Sequence, residues 1–581
     1  MTETDDTAEQ VDVAPARRRI DWRDVVAVGL IVAAIALPLR GLLRYQGPAM
    51  EEGFMLTFPQ EVLRGAIPNR DFLHLYGPGS LWALAGAFKV FGASLATERF
   101  FGLAQHVGIV FGVFALARPW GRRLAVVGAA TALVVTLPPV GLTAMAWNGA
   151  VALGVWGLWT ALGFYRHRRA AAPSDEVVGD RQRRALFIGG LLCGFALLFR
   201  PDLALAIGLG MFAVLWGSWR RAWRPLILGL VVGFVPMVVQ VILAGPGHAL
   251  VGMVIEPVFK LRGGRSLPVP PPWGHVEGFL QVAATLQRPG WSPPAIAPAH
   301  QIFLWFVLNP LVAFAIATVG VWRLRQSPMS LRARTLLVGG AFCIGMLGQG
   351  IQRPDTAHFA WVSSVSLGLL PLAVAEVVVH WRAAHKRAAR RITLGQVCGA
   401  VSVALILAVA IPYFTIRSYV DLSGQTFDHN VFGTSVNHAG RNFYYGSPDV
   451  AEAANALIAD FDRQHPKAGQ RLFVGPIDLR RTPYSDAFFY FLFPKLVPAT
   501  YYIEMDPFDS KPGTRLASDV GSADWLILSG VWSNWEEPND SRLYGSDKPN
   551  QVVRDHFCLL GSYGSKSGSS LPYFELWKRC R

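Results

Sequence analysis

Residues 50–79 read MEEGFMLTFPQEVLRGAIPNRDFLHLYGPG. The adjacent carboxylates Glu51 and Glu52 follow directly on a long apolar segment near 24–43. An aromatic-rich stretch that reads as an interfacial helix comes next, and a third acid, Asp71, returns on an Arg70-Asp71-Phe72 turn. Carboxylates placed against lipid are costly unless they are used. The reading of the whole chain therefore turns on whether the neighbouring apolar segments cross a bilayer.

They have the composition for it. Of 581 residues, 52% are hydrophobic and only 16% charged, with 19 Trp and 35 Phe, which is too apolar for a water-soluble protein of this length. A helix needs about 20 apolar residues to cross the bilayer core. Eleven segments meet that need, near 24–43, 99–117, 124–145, 147–165, 185–200, 202–218, 226–245, 301–322, 335–352, 358–381 and 392–416. The expected fold is a polytopic α-helical membrane protein with a C-terminal α/β domain outside the membrane.

The charge supports this and gives an orientation. The 54 basic residues exceed the 39 acidic ones, a surplus that nucleic-acid binders also show. Here, however, residues 1–416 hold 37 basic and 20 acidic residues, and residues 417–581 hold 17 and 19. The basic residues come in bursts between alternate spans: Arg17–Arg19, Arg118 with Arg122 and Arg123, then 166–184, 220–224, 323–334 and 382–391. Basic loops stay on the cytoplasmic side, so the N-terminus is expected inside and, after an odd number of spans, the C-terminus outside. Membrane lipid is then the partner and the cytoplasmic membrane the location; a nucleic-acid partner is not expected. The first span has no small-residue cleavage site and reads as an uncleaved anchor.

Residues 1–23 read as a cytoplasmic tail, 24–416 as the transmembrane unit with outer loops at 44–98 and 246–300, and 417–581 as the extracytoplasmic α/β domain. In that domain Ser447-Pro448-Asp449 with Glu452 reads as a helix start, with Ser as N-cap and Pro at the first helical position. Arg471–Val474, Thr500–Ile503 and Trp525–Leu528 read as strands. Cys193, Cys343 and Cys398 fall inside spans and read as apolar filler. Cys558 and Cys580 are the two cysteines of the outer domain, at the open ends of an expected terminal hairpin, where a disulfide is expected.

Around the first loop the chain resembles the GT-C superfamily, multi-spanning glycosyltransferases that take sugars from polyprenyl-phosphate carriers. The pattern is acid-Glu-Gly, an apolar helix, Leu-x-Gly-x-x-Pro-x-Arg-Asp-Phe and Gly-Pro-Gly. It is carried by Glu51, Glu52, Gly53, Leu63, Gly65, Pro68, Arg70, Asp71, Phe72 and Gly77 to Gly79. Relatives more often carry Asp at the first acid and Ala at Pro59, a proline expected to kink the loop helix. The resemblance implies transfer through an oxocarbenium-like state. Phosphate is already a good leaving group, so one carboxylate base suffices, with cations to hold the departing phosphate. Glu51 or Glu52 is then the base, and Asp71 either positions the acceptor or is itself the base. Arg70 and His74 of the same loop join the expected binding set.

Arg200-Pro201-Asp202 and Arg353-Pro354-Asp355 each sit where a span reaches the outer face. The second continues to His358, giving Arg-Pro-Asp-x-x-His, also seen in bacterial members of the superfamily. It implies Arg353 and His358 on the lipid phosphate, with Asp355 orienting one of them. The plainer reading, an Arg–Asp clamp at a helix end, is preferred for Arg200 with Asp202 and stays open beside phosphate binding for the 353–358 group. In the second outer loop Arg262 and Arg265, near Glu256 and Lys260, form a basic cluster that fits a phosphate headgroup or an ordinary interface anchor. Trp532, Trp535, Glu536, Glu537, Asn539 and Asp540 form an aromatic and acidic patch that has the chemistry to stack against sugar faces, with surface packing as the preferred reading, and Trp147 and Asn148 at a span tip are read the same way.

The sequence has no Walker loop, Rossmann glycine fingerprint, zinc-spaced Cys/His cluster or Gly-x-Ser-x-Gly elbow, which disfavours nucleotide-driven transport and nucleotide-sugar chemistry. Glu51 and Glu52 lack the further oxygen ligands of a divalent site, so neither a metal nor another cofactor is expected. The expected activity is inverting transfer of a hexosyl or pentosyl group from a polyprenyl-phosphate donor to a cell-envelope glycan, glycolipid or glycoprotein acceptor. The alternative is a lipid or solute transporter, or an envelope-assembly scaffold, which lacks the support of span repeats or midplane charges. High Ala, Gly, Arg and Trp usage suggests a GC-rich bacterium and brings arabinose and mannose carriers forward as donors, although no short motif encodes the sugar.

Overall fold

A computed structural model describes residues 21–166, 178–277, 297–384, 411–428, 433–565 and 571–580. Among these, eight helices are long and apolar enough to cross a membrane: Trp22–Arg44, Leu95–Trp120, Arg122–Val140, Asp180–Phe199, Trp219–Ala244, Pro298–Gln326, Leu331–Gln352 and Thr356–Trp381. Two of the expected eleven spans are shorter. The segment near 147–165 is a helix over Ala146–Ala161 that turns at Leu162, and the one near 202–218 is a 3₁₀ turn, Pro201–Leu203, followed by Ala204–Leu215. The expected span near 392–416, Cys398 and the tail over 1–20 lie wholly or largely outside the described residues.

Small residues let the spans approach closely. A Cβ added to Gly190 or Gly194 would lie 1.9 or 2.3 Å from the carbonyl oxygens of Leu226 and Leu230, so Asp180–Phe199 and Trp219–Ala244 pack backbone to backbone, as membrane helices lacking a hydrophobic driving force do. On one side of the spans lie the two long loops. The first contains the helix Ala49–Leu63, which runs unbroken through Pro59, and the turn around Asn69. The second contains a helix over Pro246–Leu250, a π-helix over Val251–Lys260 and a helical turn over Arg262–Arg265.

The C-terminal part begins with a hairpin of β1 (Thr434–His438) and β2 (Arg441–Tyr445). A mixed five-stranded sheet follows, in the order β4-β3-β5-β7-β6. In it β3 (Arg471–Pro476) runs parallel to β4 (Val497–Pro498) and β5 (Trp525–Ser529), and β7 (Phe574–Arg579) pairs antiparallel with β5 and with β6 (Phe557–Tyr563). The helix Pro448–Arg463 buries Val450, Leu457 and Phe461, the last against Trp525 at 5.0 Å. Ser447 stands at the cap position but its side chain makes no capping bond; Pro448 at the first helical position already removes one donor. Thr500–Ile503 is not a strand. Its backbone is used elsewhere: Tyr501 accepts from Leu73 N–H at 2.8 Å and its hydroxyl donates to Asn69 at 2.9 Å, docking the C-terminal part on the first loop. Cys558 and Cys580 form a disulfide, with Cα atoms 5.4 Å apart across the β6–β7 hairpin.

Candidate active site

A cavity of about 250 Å³ lies where the first loop, the helix ends, the second loop and the C-terminal part meet. Its chemistry begins with Glu51. The helix Ala49–Leu63 lies directly on the short helix Phe488–Leu492, because Gly53 has no Cβ; one added there would sit 2.4 Å from Phe488 N. This contact sets the helical phase, and successive residues then point about 100° apart. Glu51 faces the cavity. Its Oε2 accepts from the Tyr484 hydroxyl at 2.6 Å, and that hydroxyl accepts from Met50 N–H at 3.0 Å. The Tyr484 ring stacks on Trp535, with centroids 4.7 Å apart and planes 13° from parallel. Burial raises the Glu51 pKa above the usual carboxylate range, against the opposing pull of the Tyr484 bond and the Arg265 and Arg353 charges.

Glu52 points the other way. It is 1% exposed and pairs with Arg99 through both carboxylate oxygens, at 2.7 and 2.8 Å, while Arg99 also donates to the carbonyls of Leu42, Leu43 and Tyr45. Asp71 is outside the cavity too. It accepts from Ile67 N–H at 2.7 Å and from Arg70 at 3.0 and 2.9 Å, closing its own turn. The three acids expected together are thus separated: Glu51 lines the cavity, Glu52 braces the loop helix, and Asp71 with Arg70 shapes the loop. His74 is likewise buried outside the cavity, edge-on to Phe58 and Tyr76; burial lowers its pKa to about 4 and leaves it neutral.

The expected cations do converge. Arg262, Arg265, Arg353 and His358 all line the cavity. Arg265 is held by Glu504 at 2.6 Å and Asp506 at 2.5 Å, and Arg353 by Asp355 at 2.8 Å and Glu537 at 3.0 and 2.5 Å. Arg262 makes no ion pair among the described residues. Asp355 takes the Nδ1 of His358 at 2.9 Å and caps the helix Thr356–Ala384 through His358 N–H at 2.8 Å. Burial works to raise its pKa, but His358 and Arg353 hold it down at about 2, so it stays ionised. With Asp355 on Nδ1, His358 offers Nε2 to an occupant, its ring 5.0 Å from that of Trp147. Arg200 pairs with Asp202 and stacks between Tyr76 and Trp361 at 5.2 and 5.1 Å; both members of this clamp also line the cavity. Among the described residues no group of three or more His, Cys, Asp or Glu is arranged to hold a metal ion.

Two kinds of comparison bear on this arrangement. No protein-family model and no curated protein matches the chain. Solved structures do. ArnT from Cupriavidus metallidurans, in a crystal structure bound to undecaprenyl phosphate, superposes with a TM-score of 0.51 over 96% of this chain and 98% of its own, at 12% identity. The Archaeoglobus fulgidus oligosaccharyltransferase in its apo form gives 0.49 over 95% of this chain and 76% of its own, at 13% identity. The chain has a GT-C fold.

Within the GT-C fold the C-terminal part supplies a whole wall of the cavity. Tyr484, Glu504, Asp506, Trp535 and Glu537 line it, and of these only Trp535 and Glu537 belong to a group noted in the sequence, where they read as surface packing. Trp147 and the Arg200–Asp202 pair, which read as structural in the sequence, also line the cavity. A signal existed for Glu504 and Asp506: two acids two positions apart, leading out of an apolar stretch into Pro507. Burial raises the pKa of Glu504 to about 7, with Arg265 opposing and Asp506 adding to the rise.

Proposed function

We propose that the chain is an inverting glycosyltransferase of the cytoplasmic membrane that uses a polyprenyl-phosphate sugar and transfers to a cell-envelope glycan, glycolipid or glycoprotein. The observation that carries this reading is Glu51: a half-buried carboxylate lining a cavity that arginines and a histidine also line. In the reaction Glu51 takes the proton of the acceptor hydroxyl as its oxygen bonds to the anomeric carbon. The bond from that carbon to the phosphate oxygen breaks, and polyprenyl phosphate leaves with the electron pair. Tyr484 fixes the carboxylate, as a base must be held within hydrogen-bond reach of the proton it removes. Arg262, the Nε2 of His358 and the guanidinium groups of Arg265 and Arg353 receive the departing phosphate. No general acid is needed, because phosphate requires no protonation to leave.

The full-length resemblance to ArnT, solved with undecaprenyl phosphate, supports a lipid phosphate as the donor's carrier. The alternation of basic loops supports an N-terminus inside and a site on the outer face. The test is a panel of polyprenyl-phosphate pentoses and hexoses offered to purified protein in detergent, with release of polyprenyl phosphate and a glycosylated acceptor as the readout. Turnover by wild-type protein and its loss in Glu51→Gln are expected. Full turnover by Glu51→Gln would remove the base, and uptake into liposomes with no covalent product would replace the reading with transport.

A further inference from the structure

The cavity wall carries four arginines and five carboxylates, so its cations sit among counter-charges rather than alone. The pairing accounts for this. Arg265 is engaged by Glu504 and Asp506, and Arg353 binds Glu537 through both terminal nitrogens. A forked guanidinium–carboxylate pair has the geometry of a guanidinium–phosphate pair. All three acids come from the C-terminal part, whereas the arginines come from the second loop and the end of a span. Each acid is 2% exposed, yet all line the cavity. Among the described residues the second oxygens of Glu504 and Asp506 are buried without a hydrogen-bond partner and Arg265 is the one cation bound to these two carboxylates.

We propose that Glu504, Asp506 and Glu537 are internal stand-ins for the substrate phosphate. They hold Arg265 and Arg353 while the cavity is empty, give them up when a polyprenyl phosphate enters, and take them back as it leaves. The inference rests on the phosphate-binding reading above and adds to it the residues that set affinity and release. Arg262, free of such a partner, makes the first contact with the incoming anion. The exchange of one anion for another leaves the product held less tightly than unopposed arginines would hold it, and turnover needs that. A purely structural ion pair makes the reverse prediction, since neutralising a carboxylate would loosen the arginine and weaken binding.

The experiment uses the full chain in detergent, with undecaprenyl phosphate and the neutral undecaprenol as probes. Wild-type protein is expected to prefer undecaprenyl phosphate. Glu537→Gln and Glu504→Gln are each expected to bind it about tenfold more tightly, with KM for the donor and kcat both lowered as release slows. Unchanged or weaker binding in both variants, at wild-type unfolding temperature, overturns the stand-in role and leaves the proposed function in place. No preference for the phosphate in wild-type protein overturns both. Should the variants not fold, hydrogen exchange on wild-type protein decides: saturating undecaprenyl phosphate should raise exchange across residues 535–542 as Glu537 lets go, and protection there contradicts the exchange.

Discussion

Glu51→Gln and Glu52→Gln alter neighbouring residues that have opposite surroundings. At position 51 the amide oxygen still accepts from Tyr484, whose hydroxyl lies 2.6 Å from the carboxylate, and no charge remains to be buried. Folding is therefore unharmed, while removal of the proposed general base is expected to cost about 10²–10⁴ in kcat, roughly 3–5 kcal/mol of barrier at about 1.36 kcal/mol per tenfold. At position 52 the change leaves Arg99, itself 2% exposed, without its bidentate partner. Breaking a buried pair in this way costs about 3–5 kcal/mol. The lower end applies here, because Arg99 keeps three backbone carbonyls and the Glu98 carboxyl stays nearby. Two assays on the same preparations separate these effects: donor turnover in detergent, and thermal unfolding followed by tryptophan fluorescence. Turnover should collapse at an unchanged unfolding temperature for Glu51→Gln, and the unfolding temperature should fall for Glu52→Gln. The reasoning fails if Glu51→Gln turns over normally, or if Glu52→Gln abolishes turnover with no loss of stability.

As the proposed base Glu51 must be ionised, and burial holds its pKa above the ordinary 4.5; kcat/KM should therefore rise with pH through a pKa above 4.5, and an acid limb centred below that value would contradict the assignment. Glu504 binds its proton more tightly folded than unfolded, with pKa values of about 7 and 4.5, so its contribution to stability falls as pH rises from 4.5 through 7. Unfolding temperatures at pH 5 and 7.5 should converge in Glu504→Gln relative to wild type. Gly53→Ala pushes the loop helix off Phe488 and should cost about 1–3 kcal/mol of stability together with most of the turnover; an unaffected kcat would show that this contact does not aim Glu51. Reduction of the Cys558–Cys580 disulfide, which spans 22 positions, should destabilise the C-terminal sheet by about 3 kcal/mol, read as a lower unfolding temperature in dithiothreitol.

Hydropathy made the long spans legible, because the bilayer imposes one requirement on every residue of a crossing helix. The position of Glu51 was legible for a related reason: two acids after a span are hard to explain otherwise. Which of the two would face the cavity was not, since Arg99, 47 positions from Glu52, decides it through a contact that leaves no local mark. Asp71 looked catalytic because a turn that satisfies its own backbone uses the same residue types as a site. The C-terminal lining was hidden for the opposite reason. Tyr484 has ordinary neighbours, the Glu504–Asp506 pair and the patch around Glu537 carry a signal without a place, and the role of all of them arises only when the sheet docks on the first loop, through the very segment, Thr500–Ile503, that had the pattern of a strand.

The bond between Tyr484 and Glu51 joins groups 433 positions apart. Ribosomes add about 5–20 residues per second, so the early acid emerges on the order of 20–90 s before the phenol that completes its setting. Throughout that interval a half-made polypeptide is already threaded into the bilayer, yet its cavity lacks the wall that the C-terminal part supplies. A premature stop between the last span and position 484 is expected to yield an inserted product without that wall and, on the proposed function, without turnover.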